Sequence, residues 1–314
     1  MFNIMFSRII RRLKYYKMFY SKHEIIVSKG DDNPDKTFYV IGIDYDTQGL
    51  MAIVKNTLSH IEYAKEKGYI PVVDMQHFKS QFGDCENDNV WEIFFKQPQG
   101  VSLEDIKRSR NIIHSRNVTT WLGYSIFPSI LEKKNVQQLK RLRLLYKEYI
   151  VPSNRLNKVI EEKYNQTIGE KRNVLGVLCR GSDYTQKKPS GHAVQPTFEQ
   201  IKEKVDEYIG RYTVDYLFVA TEDEEYMNKF KSVYGEKVLC VEQNRFGKLK
   251  VNYISELNME YNDLIEMNMN YYTSLYILSK CDYFISGMTA GTIGVAFMAD
   301  GFKAYYYFEL GHYK

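Results

Sequence analysis

Three short clusters in the second half of the chain combine residue types that can hold an anion and a ribose. The first is Arg180-Gly-Ser-Asp183-Tyr184, directly after the apolar run at 173–178. An arginine there can clamp a diphosphate through two parallel charged hydrogen bonds, and Asp183, three residues on, could pair with it and fix its rotamer. The second is Thr221-Glu222-Asp223, straight after LFVA, where a hydroxyl and carboxylates suit ribose or guanine donors. The third is Ser286-Gly-Met-Thr289-Ala290-Gly291-Thr292, at a helix start. Small residues and hydroxyls beside unpaired helix N–H groups form an anion site. Each cluster also has a plain structural reading: a surface ion pair, acids capping a helix, and small residues allowing close packing. The case for a pocket is that all three fall on the same edge of one expected sheet, where open α/β sheets bind ligands.

The elements that would position these clusters are regular. After residue 172 the chain reads NVLGVL (173–178) as strand, a helix at 197–210 opened by Thr197, and DYLFVAT (215–221) as strand. A helix to 234 follows, then strand KVLCVE (237–242), a helix at 263–280, strand DYFISG (282–287), a helix at 291–299 and strand KAYYYF (303–308). Strands alternating with helices predict a Rossmann-like doubly wound sheet. The first half holds a βαβ unit, with FYVIGI (38–43), a helix at 50–67 stopped by Gly68, and YIPVVDM (69–75). NIIHS (111–115) is a further candidate strand and 136–150 a basic helix. The expected organisation is a basic amphipathic segment at 1–22, an N-terminal α/β domain at 23–160 and a C-terminal nucleotide-binding domain at 161–314.

Composition narrows the function classes. With 44% hydrophobic and 26% charged residues the 314-residue chain is ordinary for a globular protein. A net charge of +4, with no aromatic-plus-basic stripe, gives no footprint for nucleic acid. The four cysteines, Cys85, Cys179, Cys240 and Cys281, show no C-x-x-C spacing for zinc and suit a reducing compartment. Residues 1–20 carry Arg8, Arg11, Arg12, Lys14 and Lys17 and no acid, with Phe2, Phe6, Ile9, Leu13, Tyr16 and Tyr20 at helical spacing. That pattern fits either a helix lying on an anionic membrane surface or a terminal helix packed on the protein itself. Cations interrupt every apolar stretch, which argues against a signal peptide or a spanning helix.

The runs VLGVLCRGSDY, VATEDEEY and LYILSKCDYFISGMTAGTIGVAF resemble the donor-binding half of the GDP-fucose-dependent α-1,6-, α-1,2- and protein O-fucosyltransferase superfamily. The likeness covers about the last 140 residues well and the first half, with TQGL and IPVVDMQ, more loosely. It implies a GT-B-like fold of two Rossmann-like domains with mostly parallel sheets, the donor on the C-terminal one and the acceptor mostly on the N-terminal one. It also implies inverting transfer without a metal or cofactor, from GDP-fucose or a related GDP-sugar to a glycan. By position, Arg180 would hold the β-phosphate with Asp183 in support, and Glu222 and Asp223 match needed acids. Ser286, Thr289, Ala290 and Gly291 fall where the family's final motif wraps the nucleotide. Two positions depart from the pattern: Leu178 stands for the motif histidine and Ser274 for an acid on the late helix. Another GDP- or UDP-sugar donor, or a non-catalytic binding protein on this fold, therefore stays open.

A general base must take the acceptor proton, and the 187–195 loop offers His192 as its titratable base, with Lys187 and Lys188 as further phosphate contacts. In the first half, Asp44, Gln48 and Gly49 follow the first strand and Asp74 and His77 the second. All are candidates for the acceptor side, as are Trp91 and Tyr124 for stacking on sugar rings, with capping and core packing the competing explanations. By analogy, the acceptor is a bacterial surface glycan such as capsule or lipopolysaccharide, built at the cytoplasmic face of the plasma membrane.

Overall fold

The computed structural model describes residues 25–43, 48–77, 80–82, 88–115, 131, 135–181, 185, 187–247, 257 and 259–314. The basic segment at 1–22, with Asp44, Cys85, Tyr124 and Asp183, lies outside the described residues. The chain divides into two compact units, one of residues 1–126 and 140–156, the other of 127–139 and 157–314.

The first unit is built on a four-stranded sheet of β1 (Ile25–Val27), β2 (Asp32–Gly42), β3 (Ile70–Asp74) and β4 (Ser109–His114), in the order β1-β4-β2-β3. β2 runs parallel to both β3 and β4, and only the short edge strand β1 is antiparallel. Helix α1 (Leu50–Lys67) makes the crossover from β2 to β3. Its buried Leu50, Ile53, Val54, Leu58 and Ile61 recur at helical spacing, so one face packs on the sheet. Gly68 ends it at φ 71°, a left-handed conformation that glycine adopts without penalty, and its N–H caps the carbonyls of Ala64 and Lys65. Tyr39 of β2 stacks on His60 of α1, with the phenol oxygen 3.0 Å from His60 Nδ1. The opposite face buries Phe38, Val40, Val72, Ile106 and Ile112. Short α2 (Val90–Phe94) and α3 (Val136–Tyr149), whose residues from 140 onward belong here, complete the unit.

The second unit carries five parallel strands: β5 (Val174–Leu178), β6 (Tyr216–Ala220), β7 (Val238–Leu239), β8 (Tyr283–Gly287) and β9 (Ala304–Phe308). Their order is β7-β6-β5-β8-β9. The chain builds outward from β5 in one direction and then returns to its other side, so the switch point lies between β5 and β8. Helix α4 (Asn154–Thr167), whose residues from 157 onward belong to this unit, precedes β5, and between the strands run α5 (Phe198–Arg211), α6 (Glu224–Tyr234), α7 (Tyr261–Leu278) and α8 (Ala290–Met298). One sheet face packs Leu175, Val177, Leu217, Val219 and Ile285 against Phe198, Ile201 and Val205 of α5 and Met227 and Phe230 of α6. Helix α7 packs on β5 and β6, and α8 on α7. Each fully buried Leu, Ile, Val or Phe contributes roughly 1.5–3 kcal/mol.

Both units are thus α/β with mostly parallel sheets, as the sequence pattern predicts. Thr197 opens α5 through a complete capping box with Gln200, and Ser153 Oγ accepts from Leu156 N to open α4. The strand expected at 237–242 shrinks to two residues. Past Leu239 the chain leaves the sheet, and Phe246 pairs instead with the turn at Glu222 and Asp223. No helix among the described residues is long and apolar enough to cross a membrane.

Candidate functional site

The carboxyl ends of β5, β6 and β8 bring the three clusters of the second unit to one edge. Arg180 leaves β5 with its Nε 3.5 Å from Glu222 Oε1. The same carboxylate oxygen accepts the Gly181 N–H at 3.0 Å, so Glu222 ties the β6 turn to the β5 loop through two donors. Both side chains are about one-fifth exposed (22% and 16%), which keeps the pair reachable from solvent. Gly181 is required here, because a Cβ at that position would lie 2.3 Å from Asp223 Oδ2 and 2.4 Å from its Cβ.

Asp223 is the N-cap of α6. Its carboxylate accepts from Tyr226 N at 2.9 Å and its own N–H donates to Thr221 Oγ1 at 3.1 Å. Phe246 N donates to the Glu222 carbonyl and Glu224 N to the Phe246 carbonyl, which clamps the turn from the β7 side. Beneath it Cys179 is fully buried, and burial together with Glu222 pushes its thiol far up, so it stays a neutral packing group.

After β8, the hydroxyls of Ser286 and Thr292 both reach the Gly287 carbonyl, at 2.7 and 2.6 Å, and lie 2.8 Å from each other. Thr289 caps α8, accepting from Thr292 N, while the Thr292 hydroxyl accepts from Thr289 N. Ala290 and Gly291 form the first turn of that helix, and Gly291 is buried. This turn is held from the side by Gln195, whose amide donates to Met288 O at 3.1 Å and Ala193 O at 3.0 Å. Gly287 leaves the space for it, since a Cβ there would fall 2.4 Å from Gln195 Oε1.

The loop carrying Gln195 is itself strapped by residues 311–313. Val194 N donates to Gly311 O, Gly191 N to Tyr313 O and Tyr313 N to His192 O. The Tyr313 hydroxyl accepts from Gln195 N at 3.2 Å. His192 is therefore partly buried within a paired segment rather than on an open loop end. Lys187 and Lys188 are exposed, the latter at φ 49°.

The structure therefore gathers Arg180, Thr221, Glu222, Asp223, Ser286, Thr289, Ala290, Gly291 and Thr292 along the carboxyl edge of one sheet. Ser274 differs in kind: it is buried inside α7 and its hydroxyl donates to Asn270 O, one turn back in its own helix, at 2.9 Å. Leu178 is also buried, 3.4 Å from where a Gly291 side chain would start. Gln195, Tyr313 and Phe246 emerge only from the fold, because their partners are remote in sequence.

In the first unit the parallel strands switch direction of growth between β2 and β4. Asp74 ends β3 fully buried, and its Oδ1 accepts Gln76 N at 3.0 Å and His77 N at 3.1 Å. Its Oδ2 lies 2.9 Å from His77 Nδ1. Gln48 accepts from Asn56 Nδ2, and Gly49 is the N-cap of α1. Trp91 is fully buried with its indole N–H donating to Lys96 O, so it packs the core rather than a sugar.

No protein-family model and no curated protein matches the sequence. Solved structures do. NodZ α-1,6-fucosyltransferase soaked with GDP-fucose superposes with a TM-score of 0.54 at 12% identity, over 84% of this chain and 93% of that one. Fucosyltransferase NodZ from Bradyrhizobium gives 0.51 at 14% identity, over 84% and 94%. POFUT1 in complex with GDP gives 0.51 at 12% identity, over 88% and 99%. The chain has the GT-B-like fold of these fucosyltransferases, matched along nearly their whole length.

Proposed function

We propose that the chain is a glycosyltransferase that transfers fucose from GDP-fucose to a glycan acceptor, with inversion and without a metal or cofactor. The observation that carries this reading is Arg180 at the mouth of the central strand β5, oriented by Glu222 and flanked by the Gly181 backbone. In this reading the guanidinium meets the donor diphosphate and offsets the negative charge that grows as the sugar leaves. Asp183, outside the described residues, supports it. The Thr221–Asp223 turn and the Ser286–Thr292 turn frame ribose and base, with hydroxyls and carboxylates suited to both. The likeness in fold to proteins solved with GDP and GDP-fucose supports the same donor class. The acceptor is a surface glycan, and residues 1–20 would hold the enzyme at the cytoplasmic face of the membrane.

A second reading keeps the fold and changes the donor to another GDP- or UDP-sugar. It is favoured by Leu178 and Ser274, since a buried leucine and a hydroxyl committed to its own helix offer no guanine contact.

A thermal-shift panel of GDP, GDP-fucose, GDP-mannose, UDP-glucose, UDP-galactose and UDP tests both, because a ligand bound only by the folded state stabilises by about 2.7 kcal/mol at 100 times its Kd. Stabilisation by GDP and GDP-fucose, lost together with turnover in Arg180→Ala, supports the first reading. A shift with uridine nucleotides alone supports the second. No shift with any nucleotide, or near-normal turnover in Arg180→Ala, overturns the assignment.

A further inference from the structure

An open sheet ends in edge strands whose outward N–H and C=O groups can pair with another chain, and proteins shorten or cover such edges. Three of the four sheet edges follow that rule. β1 spans three residues and β7 only two. β3 is covered by side-chain amides. Gln97 Oε1 accepts from Val73 N at 2.8 Å, and its Nε2 donates to Val73 O at 2.9 Å. Asn89 Oδ1 accepts from Met75 N, and its Nδ2 also donates to Val73 O. These two side chains take the place of a neighbouring strand.

β9 is the exception. It ends the order of the second sheet, and among the described residues no strand lies beyond it. It runs beside β8 from Ala304 to Phe308 and contains no proline, glycine or charge. Its exposed surface is aromatic, with Tyr305 49% and Tyr306 37% exposed, and Leu310 just past its end 39%. Tyr306 and Phe308 stand on the α5 face, where Lys204 lies 4.3 Å from the Tyr306 ring. By alternation Tyr305 and Tyr307 stand on the other face, ring centroids 5.0 Å apart. Tyrosine buries a large ring while its hydroxyl stays wet, which suits an interface residue. A lysine and a glutamate flank the strand. Lys303 bonds Asp282 yet keeps 59% of its side chain exposed, and Glu309 is exposed.

We propose that β9 is a docking edge for a second copy of this chain, whose own β9 pairs with it antiparallel about Tyr306. In that register Lys303 of one copy opposes Glu309 of the other at both ends. Between them Ala304 opposes Phe308, Tyr305 opposes Tyr307, and Tyr306 opposes itself on the twofold axis. A twofold interface must be complementary to itself, and residues 303–309 meet that condition in charge as well as in shape. Directly opposed aromatic and opposite-charge pairs are the units that stabilise an antiparallel ladder. The two five-stranded sheets then run on into each other across the axis. The inference concerns the second unit alone and does not depend on the donor. A single strand with its flanks falls short of the roughly 800 Å² per partner of a standard interface, so the association is of micromolar strength.

The test is sedimentation velocity on the full chain from about 1 to about 200 μM, beside melting curves that show each variant folded. Wild type should pass from monomer to dimer within that range. Glu309→Lys sets like charges opposite each other at both ends and should weaken the dimer at least about tenfold. Lys303→Glu should do the same. An equimolar mixture of these two variants should associate again, because each end then opposes an acid to a base. Tyr306→Glu, beside Lys204 of its own chain, sets two carboxylates on the axis and should also weaken the dimer. If Lys303→Glu, which loses its bond to Asp282, does not fold, Glu309→Lys and Tyr306→Glu carry the test. A wild type that stays monomeric at the highest concentration assigns the edge to another occupant and overturns the proposal. A dimer indifferent to Glu309→Lys and Tyr306→Glu also overturns it, as does a mixture of folded single variants that fails to associate.

Discussion

At Asp223 the carboxylate closes the first turn of α6 and the same side chain packs against Gly181, so two structural roles and the proposed binding role fall on one residue. Asp223→Ala removes the cap and should cost about 1 kcal/mol, whereas Asp223→Asn, which still accepts from Tyr226 N, should restore it. If nucleotide binding falls equally in both, the charge is what the ligand needs, and the capping explanation is insufficient. Gly181→Ala is expected to be harsher. Its Cβ would meet Asp223 at 2.3–2.5 Å, so the turn must shift, at about 1–3 kcal/mol in stability and about tenfold or more in GDP affinity. Calorimetry beside thermal melting reads both. Arg180 was legible in the sequence because a cation straight after an apolar run needs only local reading. Gln195 was not, since its amide meets Met288 93 positions away, and no periodicity reports such a pairing.

Among the elements, α8 shows how tightly the edge is built. Four groups converge on the hydroxyl of Thr292, a fully buried residue: the Gly287 carbonyl, Ser286 Oγ, Thr289 Oγ1 and Thr289 N. Thr292→Val keeps the shape and removes the hydroxyl, leaving these groups short of a partner, and should lower the urea midpoint by the equivalent of about 1–3 kcal/mol. Thr292→Ser should recover most of it. An unaltered midpoint in Thr292→Val would show that the network is dispensable. The helices and central strands followed the apolar patterning closely, as at Leu50–Lys67 and Val174–Leu178. Patterning failed at β7, where the apolar run outlasts the strand. KVLCVE is a reasonable strand in isolation, but only Val238 and Leu239 pair with β6 before the Phe246 segment takes over the Glu222 turn.

Across the molecule, buried histidines set the acid response of the first unit. His60 is lowered to about 3 and His114 to about 4 by burial, against an unfolded value of 6.5. Between pH 6.5 and 4 the unfolded chain holds protons on both side chains that the folded chain refuses. Stability therefore falls with falling pH through that window, by about 1.4 kcal/mol per pH unit for each histidine, and is independent of these groups above 6.5. Melting followed from pH 8 to 4 should show the decline, and His114→Asn should reduce its slope; an identical slope would assign the acid response elsewhere. The second unit has its own long-range dependence, the strap of residues 311–313 on the loop at 191–195. Ending the chain after Leu310 leaves all five strands, so far-UV circular dichroism should persist while GDP no longer raises the melting temperature. Synthesis on the ribosome turns this into an order of events. The Gln195 loop is made early, but Tyr313, its anchor, emerges 118 residues later. A nascent chain thus completes the five strands, the last ending at Phe308, before residues 311–313 can strap the Gln195 loop, and the donor binding proposed above waits on that strap.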